Sequence, residues 1–155
     1  MTRAAINHRG NHVISEVEII YKPNRYKSAP VTTSREAADI FRHFWNPWTI
    51  EYYEEFKVMY LDRGGKVLGV QHLSTGGLSG TMADVRMIFQ GALKSCAHTI
   101  IVAHSHPSGR LTPSQADREL TVKVKEAGKI LDIPLFDHLI LTGEDYMSFA
   151  DSGYL

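Results

Sequence analysis

The sequence predicts a mixed α/β domain, a central mixed β-sheet packed by helices. Three observations lead there. Helix-period and strand-like runs alternate along most of the chain; Thr99-Ile100-Ile101-Val102-Ala103 is a continuous β-branched run of the kind buried on both faces; and 155 residues suit one core. The composition is that of an ordinary globular chain, 43% hydrophobic and 22% charged.

Residues 1–12 are polar and without period, and are expected to fray. Glu16-Val17-Glu18-Ile19-Ile20-Tyr21 reads as a short strand stopped at Lys22-Pro23-Asn24, where proline removes a ladder donor. Residues 1–28 are therefore set apart from a folded domain over 29–155. Thr33 or Ser34 caps a helix over 35–45, with Ala38, Phe41, Phe44 and Trp45 on its apolar face. A hairpin follows, from residue 54 to 61 and 67 to 73, turned by Gly64-Gly65, whose pair supplies positive φ. Three glycines between Ser74 and Gly80 make a loop, and residues 76–80 are the segment expected to cover a cleft.

From about Met82, the spacing of Val85, Ile88, Phe89, Ala92, Leu93 and Cys96 gives an amphipathic helix that packs its cysteine inward. After the buried strand at 99–103, Thr112-Pro113-Ser114-Gln115 reads as a capping box opening a helix at Pro113. Leu120, Val124 and Ala127 continue the apolar face of that helix, with Ile130 or Leu131 completing it. Strands near 135–142 and 146–150 flank the Gly143-Glu144-Asp145 turn. The expected order is β-α-β-β-α-β-α-β-β.

Charge and cysteine content narrow the functions. Seventeen basic residues balance seventeen acidic ones, so nucleic-acid binding would need a local patch. The one cysteine excludes an intrachain disulfide and fits a reducing, cytoplasmic setting. With no apolar run of about 18 residues and no basic-then-apolar leader, neither a membrane span nor secretion is expected. Self-association into a homo-oligomer is left open.

The chemistry lies in the segment from His104 to Asp117. His104 and His106, two apart at the end of a buried strand, point the same way and can grip one ion. Asp117, early in the next helix, can return its carboxylate to the strand end. Two imidazoles and one carboxylate leave an open tetrahedral position, the arrangement of catalytic zinc, although other divalent ions suit such a set. Ser114 is three residues before Asp117, so its hydroxyl shares the same helical face. A general base is still needed. Strand alternation groups Glu54 with Phe56, Val58 and Tyr60, which favours Glu54 over the fallback Glu55. His138 is a candidate hydrogen-bond partner of the site. His8, His12, His43, His72 and His98 show no ligand spacing.

His104-Ser105-His106-Pro107 followed by Ser114-x-x-Asp117, with an upstream Glu, resembles the JAMM (MPN+/JAB1) metalloprotease motif. His106-Pro107-Ser108-Gly109, Pro113-Ser114-x-x-Asp117 and Asp137-His138-Leu139-Ile140 narrow the resemblance to the bacterial RadC-like JAB domain, over roughly residues 30–150. The resemblance implies a cytidine-deaminase-like (JAB/MPN) fold, zinc on His104, His106 and Asp117, Glu54 as base, Ser114 as oxyanion helper, and a peptide or isopeptide substrate. Ser105 stands where RadC-like proteins commonly carry Asn, a variation the broader JAMM pattern accepts. The family is associated with DNA repair, but residues 1–50 carry no Gly-containing paired-helix hairpin, so DNA binding is expected to be weak, salt-sensitive and without sequence preference. A nucleobase deaminase would need His-x-Glu and Pro-Cys-x-x-Cys, which a single cysteine cannot supply. The remaining alternative is a non-enzymatic interaction module on the same scaffold.

Overall fold

The computed structural model describes residues 17–23, 29–76 and 83–155. The element order is α1 (Ser34–His43), β1 (Glu55–Leu61), β2 (Val67–Thr75), α2 (Val85–Ser95), β3 (Thr99–Ser105), α3 (Gln115–Ile130), β4 (Leu135–Leu141) and β5 (Tyr146–Ser148). Among the described residues these strands form one sheet in the order β2-β1-β3-β4-β5. All neighbours are antiparallel except β3 and β4, which run parallel and are joined by α3, as a parallel pair requires. The expected mixed sheet packed by helices is the fold observed.

The sheet is covered on both faces, which explains the unbroken apolar text of β3. Odd-numbered side chains of β1 and β3 (Met59, Leu61, Ile101, Ala103) join Ala37, Ala38 and Phe41 of α1 in one cluster. Even-numbered ones (Phe56, Val58, Tyr60, Ile100, Val102) join Ile88, Phe89 and Ala92 of α2 and Val124 of α3 in the other. His104 therefore belongs to the α2/α3 side, while Glu55 and Lys57 belong to the α1 side. No helix among the described residues is long and apolar enough to cross a membrane.

Several expectations are corrected. Residues 17–23 form no strand; Val17 and Ile20 are exposed, and the segment meets the sheet edge through the Tyr21 hydroxyl, which donates to the Leu68 carbonyl at 2.7 Å. In α1, Thr33 is the cap, but the helix stops at His43, so Phe44 falls out of helical register and is exposed while Trp45 is buried. The hairpin ladder extends to Thr75 opposite Glu55. At its turn only Gly65 takes positive φ, and the Asp62 carboxylate accepts from the Gly64 and Lys66 amides. Cys96 does not pack inward: it is the exposed left-handed C-cap of α2, and Leu93 is exposed as well. Ile130 and Leu131 are also exposed, so the α3 face ends earlier than expected. Residues 1–12 and 77–80 of the expected covering loop lie outside the described residues.

The C-terminal end of α3 is pressed against the entry to β4. A Cβ on Gly128 would lie 2.5 Å from the Ile133 carbonyl oxygen, and the Ile133 amide donates to the Gly128 carbonyl at 2.9 Å. Backbone on both sides leaves little room to yield. Gly128→Ala is therefore expected to destabilise the fold by about 1–3 kcal/mol, the usual cost of overpacking, in urea-unfolding measurements.

Candidate metal centre

The site is built at the C-terminal end of β3. His104 is the second-last residue of the strand, held between Phe56 of β1 and Ile140 of β4. His106 lies just past the strand, where its amide still donates to the Leu141 carbonyl at 2.8 Å. The Pro107–Arg110 turn then doubles back. Gly109, at φ +73°, donates its amide to the His106 carbonyl, and the Arg110 carbonyl comes within 2.6 Å of His106 Nδ1. That bond occupies Nδ1 and leaves Nε2 to face Asp117.

Asp117 arrives from α3 through a capping box that differs from the expected one. The N-cap is Ser114, two residues later than Thr112: its hydroxyl accepts from the Asp117 amide at 3.1 Å, and Asp117 Oδ2 accepts from the Ser114 amide at 2.7 Å. The box closes on Ser114 and Asp117 because the same carboxylate can then also meet both histidines. His104 Nε2 is 3.2 Å from Asp117 Oδ1, His106 Nε2 is 3.6 Å from Oδ2, and the two Nε2 atoms are 3.0 Å apart.

One ligand atom from each of the three residues lies within 4.8 Å of the others, so this group could hold a metal ion. Ligands at about 2.0–2.2 Å from a tetrahedral ion stand roughly 3.3–3.5 Å apart, close to the 3.0 Å between the two Nε2 atoms and the 3.2 Å from His104 Nε2 to Asp117 Oδ1. Burial works against charge on Asp117, but the adjoining His104 and His106 rings outweigh it and hold the carboxyl far below its ordinary range. For His106, burial favours the neutral ring; Asp117, the Arg110 carbonyl and Glu54 outweigh it and raise its pKa. Glu55 is engaged elsewhere: its Oε2 accepts from buried Lys57 at 2.8 Å, on the α1 side.

Behind His104 runs a chain of buried hydrogen bonds. Thr121 donates its hydroxyl to the Asp117 carbonyl at 2.6 Å, and the same oxygen lies 2.7 Å from His138 Nδ1. With its one proton committed, Thr121 must accept from His138 Nδ1–H. Complete burial keeps His138 neutral, lowering its pKa well below the usual value. Its Nε2 therefore accepts, and His104 Nδ1, 2.8 Å away, donates to it. In a neutral His104 ring this puts the lone pair on Nε2, facing His106 and Asp117, the tautomer a metal ligand needs. Phe149 stacks on His138 at 4.5 Å and Phe56 on His104 at 6.2 Å, fixing both rings. Thr121 escaped the sequence reading; the available signal was its position one helical turn after Asp117 on the same face.

The result is an α/β domain whose sheet end presents two histidines and one carboxylate that could hold a metal ion, backed by a buried histidine. The chain belongs to the RadC-like JAB domain family, whose model matches residues 31–154. It is 42% identical over 127 residues to a UPF0758 protein of Flavobacterium johnsoniae, covering 82% of this chain and 54% of that protein. A UPF0758 protein of Porphyromonas gingivalis is 47% identical over 104 residues, covering 66% and 45%. One from Staphylococcus carnosus is 33% identical over 137 residues, covering 88% and 59%. The chain thus spans about half the length of the curated relatives it matches.

Two outcomes are expected from metal analysis of purified protein. His104→Ala or Asp117→Ala should remove a bound divalent ion that the wild type carries at close to one equivalent, with far-UV circular dichroism largely retained. His138→Ala should weaken metal affinity by about 10–100-fold, the range for a lost ligand-orienting partner, when measured by competition with a chelator.

Proposed function

We propose that the protein is a zinc-dependent amide hydrolase of JAMM type, a peptidase or isopeptidase. The observation that carries this reading is the convergence of His104, His106 and Asp117 ligand atoms within 4.8 Å of one another. Two imidazoles and one carboxylate are the donor set that suits zinc with a position left open. When bound there, zinc would supply Lewis acidity and bring the pKa of water toward roughly 7.

The chain's own residues divide the remaining work. His104 and His106 present Nε2, with their Nδ1 atoms occupied by His138 and Arg110. Glu54, immediately before β1, takes a proton from the attacking water onto its carboxylate and returns it to the leaving amine nitrogen. Its competitor Glu55 is tied to Lys57 on the other face, which supports Glu54. Ser114 uses its oxygen to cap α3, and its hydroxyl, which also sits against the Asp117 carboxylate, would turn its proton to a developing oxyanion.

The test needs a peptide or isopeptide that the wild type cleaves. Glu54→Gln is expected to keep the ion and the fold and to lower kcat by about 10²–10⁴-fold. Ser114→Ala should keep the ion, lose activity, and also lower stability by about 1 kcal/mol because the helix cap is gone. If Glu54→Gln stays fully active and Glu55→Gln is dead, Glu55 is the base. If both stay active, the hydrolase mechanism is wrong, and a non-enzymatic interaction module becomes the better reading.

A further inference from the structure

The last strand is too short to hold its own exit. Tyr146–Ser148 pair with Leu139–Leu141 of β4, and the chain leaves the ladder at Phe149. Phe149 is nevertheless fully buried and lies face to face with the His138 imidazole, ring centroids 4.5 Å apart and planes within 11°. One backbone bond spans the gap, from the Phe149 amide to the His138 carbonyl at 3.0 Å. A single bond of that kind leaves the distance and tilt of the two rings unset.

The carboxyl of Asp137 supplies what the ladder lacks. Leu139 and Leu141 face α1, and strand alternation groups Asp137 with them, across the sheet from His138 and the metal group. Asp137 is 3% exposed. Its Oδ1 accepts from the His138 amide at 2.7 Å and from the Ala150 amide at 3.0 Å, and its Oδ2 accepts from the Ser148 hydroxyl at 2.6 Å. Ser148 Oγ in turn accepts from the Asp151 amide at 3.0 Å. A buried carboxyl is costly unless it is hydrogen-bonded, so its partners show what it holds. They are the backbone of His138 and the two residues that flank Phe149. One side chain thereby grips both members of the stacked pair.

The stack bears on the metal group through a soft torsion. Rotation of an imidazole about its Cβ–Cγ bond is only weakly restrained by the side chain itself, so packing must set the ring plane. Phe149 lies flat on one face of the His138 ring, and the edge of Phe56 meets it at 5.9 Å. So held, the ring keeps Nδ1 on Thr121 and Nε2 on His104 Nδ1. We infer that Asp137 is a positioning residue of the metal centre: it clamps Phe149 onto His138, and His138 in turn sets the tautomer and aim of His104. Its effect on the metal group passes through His138. The inference rests on the metal group and not on amide hydrolysis, so a protein that cleaves no peptide leaves it standing.

The experiment measures zinc affinity by chelator competition, with urea unfolding of each variant in parallel. Asp137→Ala is expected to weaken zinc binding about 10-fold, at the lower end of the range for a lost outer partner, and Phe149→Leu about 3–10-fold. Asp137→Asn, which keeps the Oδ1 acceptor and can donate to Ser148 Oγ, should restore affinity to within about 2-fold of wild type. In the His138→Ala background, Asp137→Ala should cost less than about a further 2-fold in affinity while its loss of stability persists. Gly128→Ala, destabilising but remote from the ligands, should leave affinity unchanged. Unchanged affinity in Asp137→Ala, or a loss that persists in the His138→Ala background, overturns the assignment. If Asp137→Ala does not fold, Ser148→Ala, which removes one bond of the clamp, is expected to weaken binding about 2–5-fold, and unchanged affinity overturns the assignment equally. If the wild type takes up no zinc, ring-nitrogen NMR of the same proteins decides: wild-type His138 is expected as the single Nδ1–H form and Asp137→Ala as a mixture of both forms, and an unaltered spectrum overturns the clamp.

Discussion

The hydrogen-bond chain from His104 through His138 and Thr121 to the Asp117 carbonyl is the constraint on which the site depends. It ties the central strand β3, its parallel neighbour β4 and the crossover helix α3 together through side chains alone. Because Asp117 also reaches back to both histidines, the chain closes into a loop in which each member fixes the next. A buried polar network of this kind stabilises only when every member is satisfied, and here the proton count works in one direction only. In a neutral His104 ring that single direction turns the Nε2 lone pair toward Asp117.

The two-faced sheet makes such a network possible. β3 is covered by α1 on one side and by α2 and α3 on the other, so the strand end at His104 is dry while His106, one step beyond the ladder, is half-buried. Phe56 and Phe149 complete the enclosure by stacking on the histidine rings. The site thereby combines a water-poor back, where hydrogen bonds are strong, with an opening at the Pro107–Arg110 turn.

The opposite face carries its own buried charge. Lys57 is 5% exposed, pairs with Glu55, contacts His72 Nδ1 at 3.0 Å and lies 4.6 Å from the Trp45 ring. His72, which shows no ligand spacing, is thus a partner of this lysine. The arrangement removes Glu55 from the metal side and covers one face of Trp45. Alternation along β1 is what puts Glu55 and Lys57 on this face and Phe56 on the other.

The sequence by itself determined what depends on local spacing. The His104-x-His106 pair, Asp117 after Ser114, the α2 face of Ile88, Phe89 and Ala92, and the unbroken β3 run all follow from side-chain periods of 2 or 3.6. Where neighbours compete for one role, local reading misplaced it. Thr112 and Ser114 are both good caps, and the choice fell to Ser114, whose partner Asp117 also answers the histidines. Only the tertiary structure decided the partnership of His104 with His138, 34 residues away, the part of Thr121, and the exposure of Val17 and Ile20. These rest on contacts between distant segments: an apolar run becomes a strand only when a ladder receives it, and a histidine takes its tautomer from whichever group the fold sets beside it.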